Sequence, residues 1–285
     1  MKKILSFFLL LCLCIHFCSC GSEKEYAPSK GLDYELSEDG TYYIVTGPGS
    51  CNDSFIVIPE KYKNLPVCAV GDSAFRKTGI THVILSESIM QIAYDAFEDC
   101  SKLAFNEYGG AYYLGIEGND YFALISVSDE TEKDFKIHSD AEIVADCALW
   151  GANIETLTIP KSISNIGNAA FYTCDSLESV DIANGVSSIA SEAFGNCKSL
   201  SKVTIPESIT IIEDYTFAYC SSLSSVTLPL TTEYIGAYVF SNCENLRDIT
   251  FKGTMEQWNN IEKDSLWDEY TVNYTVHCKD GDVKK

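Results

Sequence analysis

Phe171, Phe194, Phe217 and Phe240 stand 23 residues apart, and Cys174, Cys197, Cys220 and Cys243 keep the same step. So do Leu177, Leu200, Leu223 and Leu246, and so do Val180, Val203, Val226 and Ile249. Independent columns holding one phase over four copies leave little choice of fold. A single copy cannot bury its own apolar side chains, whereas stacked copies turn each column into a ladder inside a solenoid. In LESVDI the alternation of Val180 and Ile182 about Asp181 marks a strand with one solvated face, so Leu177, Val180 and Ile182 are expected to point inward.

A period of 20 to 29 residues with a leucine-type skeleton is that of a leucine-rich-repeat solenoid. The expected fold is mainly β, with parallel strands stacked about 4.8 Å apart and short 3₁₀ turns around SEAF and DYTF. Pro160, Pro206 and Pro229 follow their strands, where a missing N–H ends the ladder. The outward column Thr158, Asp181, Thr204, Thr227 and Thr250 is flat and weakly polar, which predicts a structural face rather than a contact surface.

The ends of a solenoid need caps. Tyr34 and Leu36, then Tyr43 and Val45, alternate around Asp39-Gly40 and predict a hairpin, placing an N-terminal cap and the start of the first coil over 31–68. Repeats follow over 69–253, with Phe75 and Phe97 in the phenylalanine column and Leu149 as its next occupant, 52 residues later. One coil accounts for 23 of these, so an insertion covers about 104–136. Within it, Tyr112 and Leu114, then Tyr121, Ala123 and Ile125, flank Gly115–Asn119 and predict a second hairpin, followed by an acidic loop over Asp129–Asp134. In the C-terminal cap, 254–285, Met255, Trp258 and Ile261 have helical spacing, YTVNYTVHC reads as a last strand, and Lys284-Lys285 as a frayed tail.

The first hairpin, IPEKYKNLPV, GDSAF, the unit IG-x-x-AF-x-x-C-x-x-L-x-x-V-x-IP and the ending GT-x-x-x-W-x-x-I through VHC-x-DG resemble the BspA-like leucine-rich-repeat surface proteins. The resemblance covers nearly all of the chain after its leader. It implies a binding or adhesion module at the cell surface.

The first 19 residues carry Lys2 and Lys3, an apolar run from Ile4 to Phe17 and then Cys18-Ser19-Cys20, the pattern of a secretory signal. A cysteine directly after a small residue resembles a bacterial lipoprotein cleavage site, with Cys20 as the lipidated residue; the competing reading is an ordinary signal peptide. The polar stretch 20–30 is read as a flexible tether, and its Glu23 and Glu25 as either an acidic export tag or plain solvated residues. The expected location is therefore the bacterial cell envelope, lipid-anchored and facing outward, with the membrane touched only through the anchor.

Formal charge is −21, and −23 without Lys2 and Lys3, which argues against nucleic acid as a partner. Of 13 cysteines, three lie in the leader and one is Cys20. The remaining nine cannot all pair, and the in-register four read as small buried hydrophobes. One cysteine per coil without a neighbouring histidine gives no four-ligand metal cluster, so neither metal nor cofactor is expected. His82, His138 and His277 belong to no metal or nucleophile motif, and there is no HExxH, P-loop, GxGxxG or GxSxG. The chain is read as a non-enzyme. Asp72-Ser73-Ala74, Asp175-Ser176-Leu177 and Asp264-Ser265-Leu266 match an O-glycosylation triplet of some gut bacteria and equally match turn chemistry.

The ligand-binding candidates are Tyr108, Tyr112, Tyr113, Tyr121 and Phe122 of the insertion, because insertions map to one face of a solenoid and aromatics make recognition hot spots. The competing reading buries these rings as a mini-core. The expected partner is a protein or glycan at the cell surface; a structural spacer without a ligand is the alternative, and an enzyme the remote one.

Overall fold

The computed structural model describes residues 26–128 and 131–285, so the leader, Cys20, most of the tether, and Asp129 and Glu130 lie outside the described residues. The chain winds as a β-solenoid of about ten turns. Repeat strands stack in parallel and in register: Leu157 opposite Val180, Ile159 opposite Ile182, Val226 opposite both Val203 and Ile249. A second column of two-residue strands stacks beside it, with Val144 opposite Ile166 and Ile166 opposite Ile189. The inward positions fill the core, and only Val180 of the expected inward set is partly exposed. Thr204 and Thr250 face solvent, as the alternation requires. The prolines act where expected: the carbonyls of Pro160, Pro206 and Pro229 each close a turn after a strand.

The return segments hydrogen-bond over three residues, as a 3₁₀ turn would, with Gly195 N–H donating to Glu192 C=O at 2.8 Å. They do not extend into a 3₁₀ helix, because the runs are broken by left-handed residues, such as Glu192 (φ 60°) and Asn196 (φ 58°). The reversal turns every second N–H sideways onto the next coil. Phe171 donates to Ala193 C=O at 2.8 Å, Phe194 to Thr216 at 3.0 Å and Phe217 to Val239 at 3.1 Å. This third ladder sets the phenyl rings face to face, with centroids 5.0, 5.6 and 6.1 Å apart from Phe171 to Phe240.

Both caps form. Asp33–Leu36 and Tyr43–Gly47 pair antiparallel, and the second of these continues in parallel onto Leu65–Val70. Asp39 ties the turn by accepting from Ser37 Oγ at 2.7 Å and Thr41 N–H at 3.0 Å. At the other end Thr254 and Gln257 make a capping box on the helix Met255–Asn260. Trp258 and Trp267 then close the aromatic column against Phe251 and Phe240. The final residues are not frayed: Gly281–Lys284 pairs antiparallel with Thr275–Cys278, and Lys285 is held 3.1 Å from Asp268. Among the described residues no helix is long and apolar enough to cross a membrane.

The insertion takes the place of a coil. Ala111–Ile116 and Asn119–Val127 form the expected hairpin, and the two strands join different columns of the stack. Leu85 N–H donates to Gly115 C=O, and Ala145 N–H to Leu124 C=O, each at 2.9 Å. Gly115 is required there, since a Cβ would meet Asn119 O at 2.7 Å. The regular ladder resumes at Asp134–Lys136, already paired with Thr156–Ile159.

Candidate functional site

Because the hairpin is built into the stack, its five aromatic candidates divide between core and surface. Tyr113 and Phe122 are 0% and 1% exposed, which corrects their assignment as contact residues. Tyr113 turns inward because its strand is covered on both faces, and its hydroxyl accepts the His138 N–H at 3.2 Å. Burial raises its pKa to about 12, so it stays neutral. Tyr108 is 46% exposed, and Tyr112 and Tyr121 are half-buried.

The surface residues come together with a residue that sequence reasoning left out. His138 stacks on Tyr121 at 4.0 Å and meets Tyr108 edge-on at 4.6 Å. Tyr108 and Tyr121 are themselves 6.3 Å apart and nearly perpendicular, and Tyr113 lies beneath, 5.6 Å from Tyr121. The group thus has a buried floor, a half-buried rim of Tyr121 and His138, and one exposed ring, Tyr108. Only the return of the chain after the insertion brings His138 here, which no motif could announce. Tyr112 points elsewhere, toward Phe105 at 5.7 Å. It borders an open groove of about 710 Å³ between Glu107, Gly110, Val127 and Glu132, whose two carboxylates favour cationic groups.

The other chemistry of the chain is structural. All nine cysteines among the described residues are free thiols, and Cys174, Cys197, Cys220 and Cys243 are fully buried. Each thiol donates to the carbonyl of the residue in the phenylalanine column one coil earlier, Cys174 to Leu149 and Cys220 to Phe194 at 3.1 Å, Cys197 to Phe171 at 3.2 Å. Cys100 does the same toward Phe75 at 2.9 Å. Burial pushes Cys174 up to about 12 and Cys243 higher still, the opposite of an activated nucleophile. His82 stacks on Phe55, and His277 lies between Asp248 and Asp282. Among the described residues no group of three His, Cys, Asp or Glu side chains is placed to hold a metal ion.

Sequence reasoning also passed over a second aromatic surface on the return turns. Tyr215, Tyr238 and Tyr270 stack with centroids 4.9 and 6.3 Å apart, and Trp150 packs on Tyr172 at 4.8 Å. Tyr219 (49%), Trp150 (55%) and Tyr270 (69%) are well exposed. The signal was the recurrence of aromatics within two residues of the phenylalanine column, Trp150 and Tyr172 directly after it and Tyr215, Tyr219 and Tyr238 two residues away, positions read only as turn.

A family model for the BspA type leucine rich repeat region matches residues 50–107 and 142–266, in six copies. No curated protein matches the sequence. Among solved structures the chain is similar to a leucine rich cell surface protein from Faecalibacterium prausnitzii A2-165, with TM-score 0.55 and 19% identity. That likeness covers 84% of this chain and 98% of the other. It is also similar to the pneumococcal vaccine antigen PcpA, with TM-score 0.52 and 14% identity over 79% of this chain and 67% of that one. At these identities the likeness is one of fold.

Proposed function

Since the chain belongs to the BspA-type leucine-rich-repeat family, we propose that it is a lipid-anchored, non-enzymatic protein of the bacterial cell surface that binds a protein or glycan. The observation that carries the binding role is the exposed Tyr108, held by the half-buried Tyr121 and His138 over a buried floor. Rigid aromatic rings with a polar edge give contact area at low entropic cost. The burial of Tyr113 and Phe122 supports the mini-core reading for those two residues alone.

The test follows from this division. Tyr108→Ser is expected to weaken capture of the ligand, screened on extracellular-matrix proteins and glycan arrays, and to leave the melting temperature unchanged. Tyr113→Ser is expected to cost about 3 kcal/mol of stability and to leave binding per folded molecule intact. If Tyr108→Ser binds like the wild type, the site lies elsewhere. The anchor is tested separately: Cys20→Ala should abolish labelling by a fatty-acid analogue and release the protein from membranes, and normal processing would refute it.

A further inference from the structure

The aromatic surface on the return turns is built at a conformational cost. Tyr215, Tyr219, Tyr238 and Tyr270 all have left-handed backbone, with φ between 56° and 63°. At the position of Tyr219 and Tyr270 other coils hold Asn196, Asn242, Asp99 and Gly151, the residue types that tolerate this region best, besides Thr173 and Lys77. A bulky side chain on such a backbone costs on the order of 1 kcal/mol. Tyr219 and Tyr270 return little of it by burial, at 49% and 69% exposure. Stacking of Tyr215, Tyr238 and Tyr270 on one another recovers part of the cost and fixes those three rings, so a partner would meet side chains that are already ordered. Toward the N-terminus the surface continues to Tyr172. Its ring overlies Gly195, where a Cβ would come within 2.7 Å.

Charge selects the partner. The carboxylates of Asp214 and Glu192 lie beside Tyr215, close enough to help hold its phenol neutral after burial and the Tyr238 ring. Glu269 is exposed next to Tyr270. Lys198, the cation near Tyr172, is already paired with Asp175 at 2.9 Å. An anionic partner would be repelled, and a purely apolar one would strip water from carboxylates without replacing it. A guanidinium or ammonium group satisfies both features: it pairs with the carboxylates and lies favourably on an open tyrosine face, such as the outer face of Tyr270.

We propose that the tyrosine stripe on the return turns docks a cationic polypeptide segment carrying arginine or lysine. This surface is separate from the insertion, and its test uses different residues, so either reading can fail alone.

The experiment is fluorescence anisotropy of a labelled peptide of six Arg-Gly repeats against the full chain, with a Gln-Gly peptide and cellohexaose as competing probes. The variant is Tyr215→Ala with Tyr219→Asn, residues this chain already carries at the equivalent positions 169 and 196. The wild type is expected to bind the Arg-Gly peptide and not the other two, more weakly as salt rises. The double variant should bind about tenfold more weakly, the size of two exposed cation–aromatic contacts. Equal binding by the double variant, no binding by the wild type, or preference for either control probe would overturn the proposal. Should the double variant fail to fold, nitration of the wild type decides: mass spectrometry must show Tyr219 and Tyr270 protected by the Arg-Gly peptide, and absence of protection rejects the site.

Discussion

A thiol suits the cysteine column because it does two things at once in a dry place. It fills the space of a small hydrophobe, and it donates to a buried carbonyl that would otherwise have only one partner. Phe171 C=O, for example, accepts from the Cys174 N–H at 3.3 Å and from Cys197 Sγ at 3.2 Å. Cys197→Ala is therefore expected to cost about 1–2 kcal/mol, mostly as lost packing, since the carbonyl keeps its backbone partner. Thermal unfolding would check this, and a neutral result would show that the coils close over the gap. In the native protein Cys174 and Cys243 should resist iodoacetamide until the chain unfolds, because burial both hides the sulfur and disfavours the thiolate. The column itself was legible from its spacing. The split among the insertion tyrosines was not. Alternation in AYYLGI assigns Tyr112 and Leu114 to one face, but both faces of that strand are covered, and Tyr113, Leu114 and Ile116 are all buried. Period-2 reasoning assumes one wet face and fails where there is none.

The C-terminal cap shows the same limit for a whole element. Helical spacing found Met255–Asn260, yet the terminal strand Gly281–Lys284 went unread because it offers one apolar residue, Val283, and is held by backbone pairing. A side-chain bridge locks this strand to the last coil. His277 Nε2 lies 2.9 Å from Asp248, and its Nδ1 lies 2.9 Å from Asp282 on the terminal strand. These hydrogen bonds, to Asp248 first and then Asp282, raise the imidazole above its ordinary 6.5. The folded chain thus holds the proton more tightly than the unfolded one. The resulting stability is fully present below pH 6.5 and is lost as pH rises through the raised folded value. The melting-temperature gap between wild type and His277→Asn should be widest in mild acid and narrow toward alkaline pH. The site is solvent-exposed, so the effect is small and salt-sensitive. A gap that widens with pH would contradict the bridge.

At the scale of the molecule, the strand ladders join each coil only to the coils above and below, so stability is expected to be carried by neighbour interfaces rather than by one common core. The phenylalanine stack is the main such interface on the return-turn side, and Phe194 sits in its middle, 5.0 Å from Phe171 and 5.6 Å from Phe217. Its own N–H holds Thr216, while Phe171 N–H holds Ala193 beside it. Phe194→Ala should cost about 3–5 kcal/mol, and the cost should be local in a way a globular core would not allow. Native-state hydrogen exchange is expected to speed up most at the amides of Phe171 and Phe194, whose ladder bonds to Ala193 and Thr216 flank the gap. The Leu85 amide, sealed by the inserted hairpin at Gly115, should change far less. So should the strand Asp248–Phe251, which is covered by the Trp258 and Trp267 cap. An equal rise at all these sites would mean that the insertion and the caps couple the coils into one cooperative unit, and the neighbour-interface account of this solenoid would have to be given up.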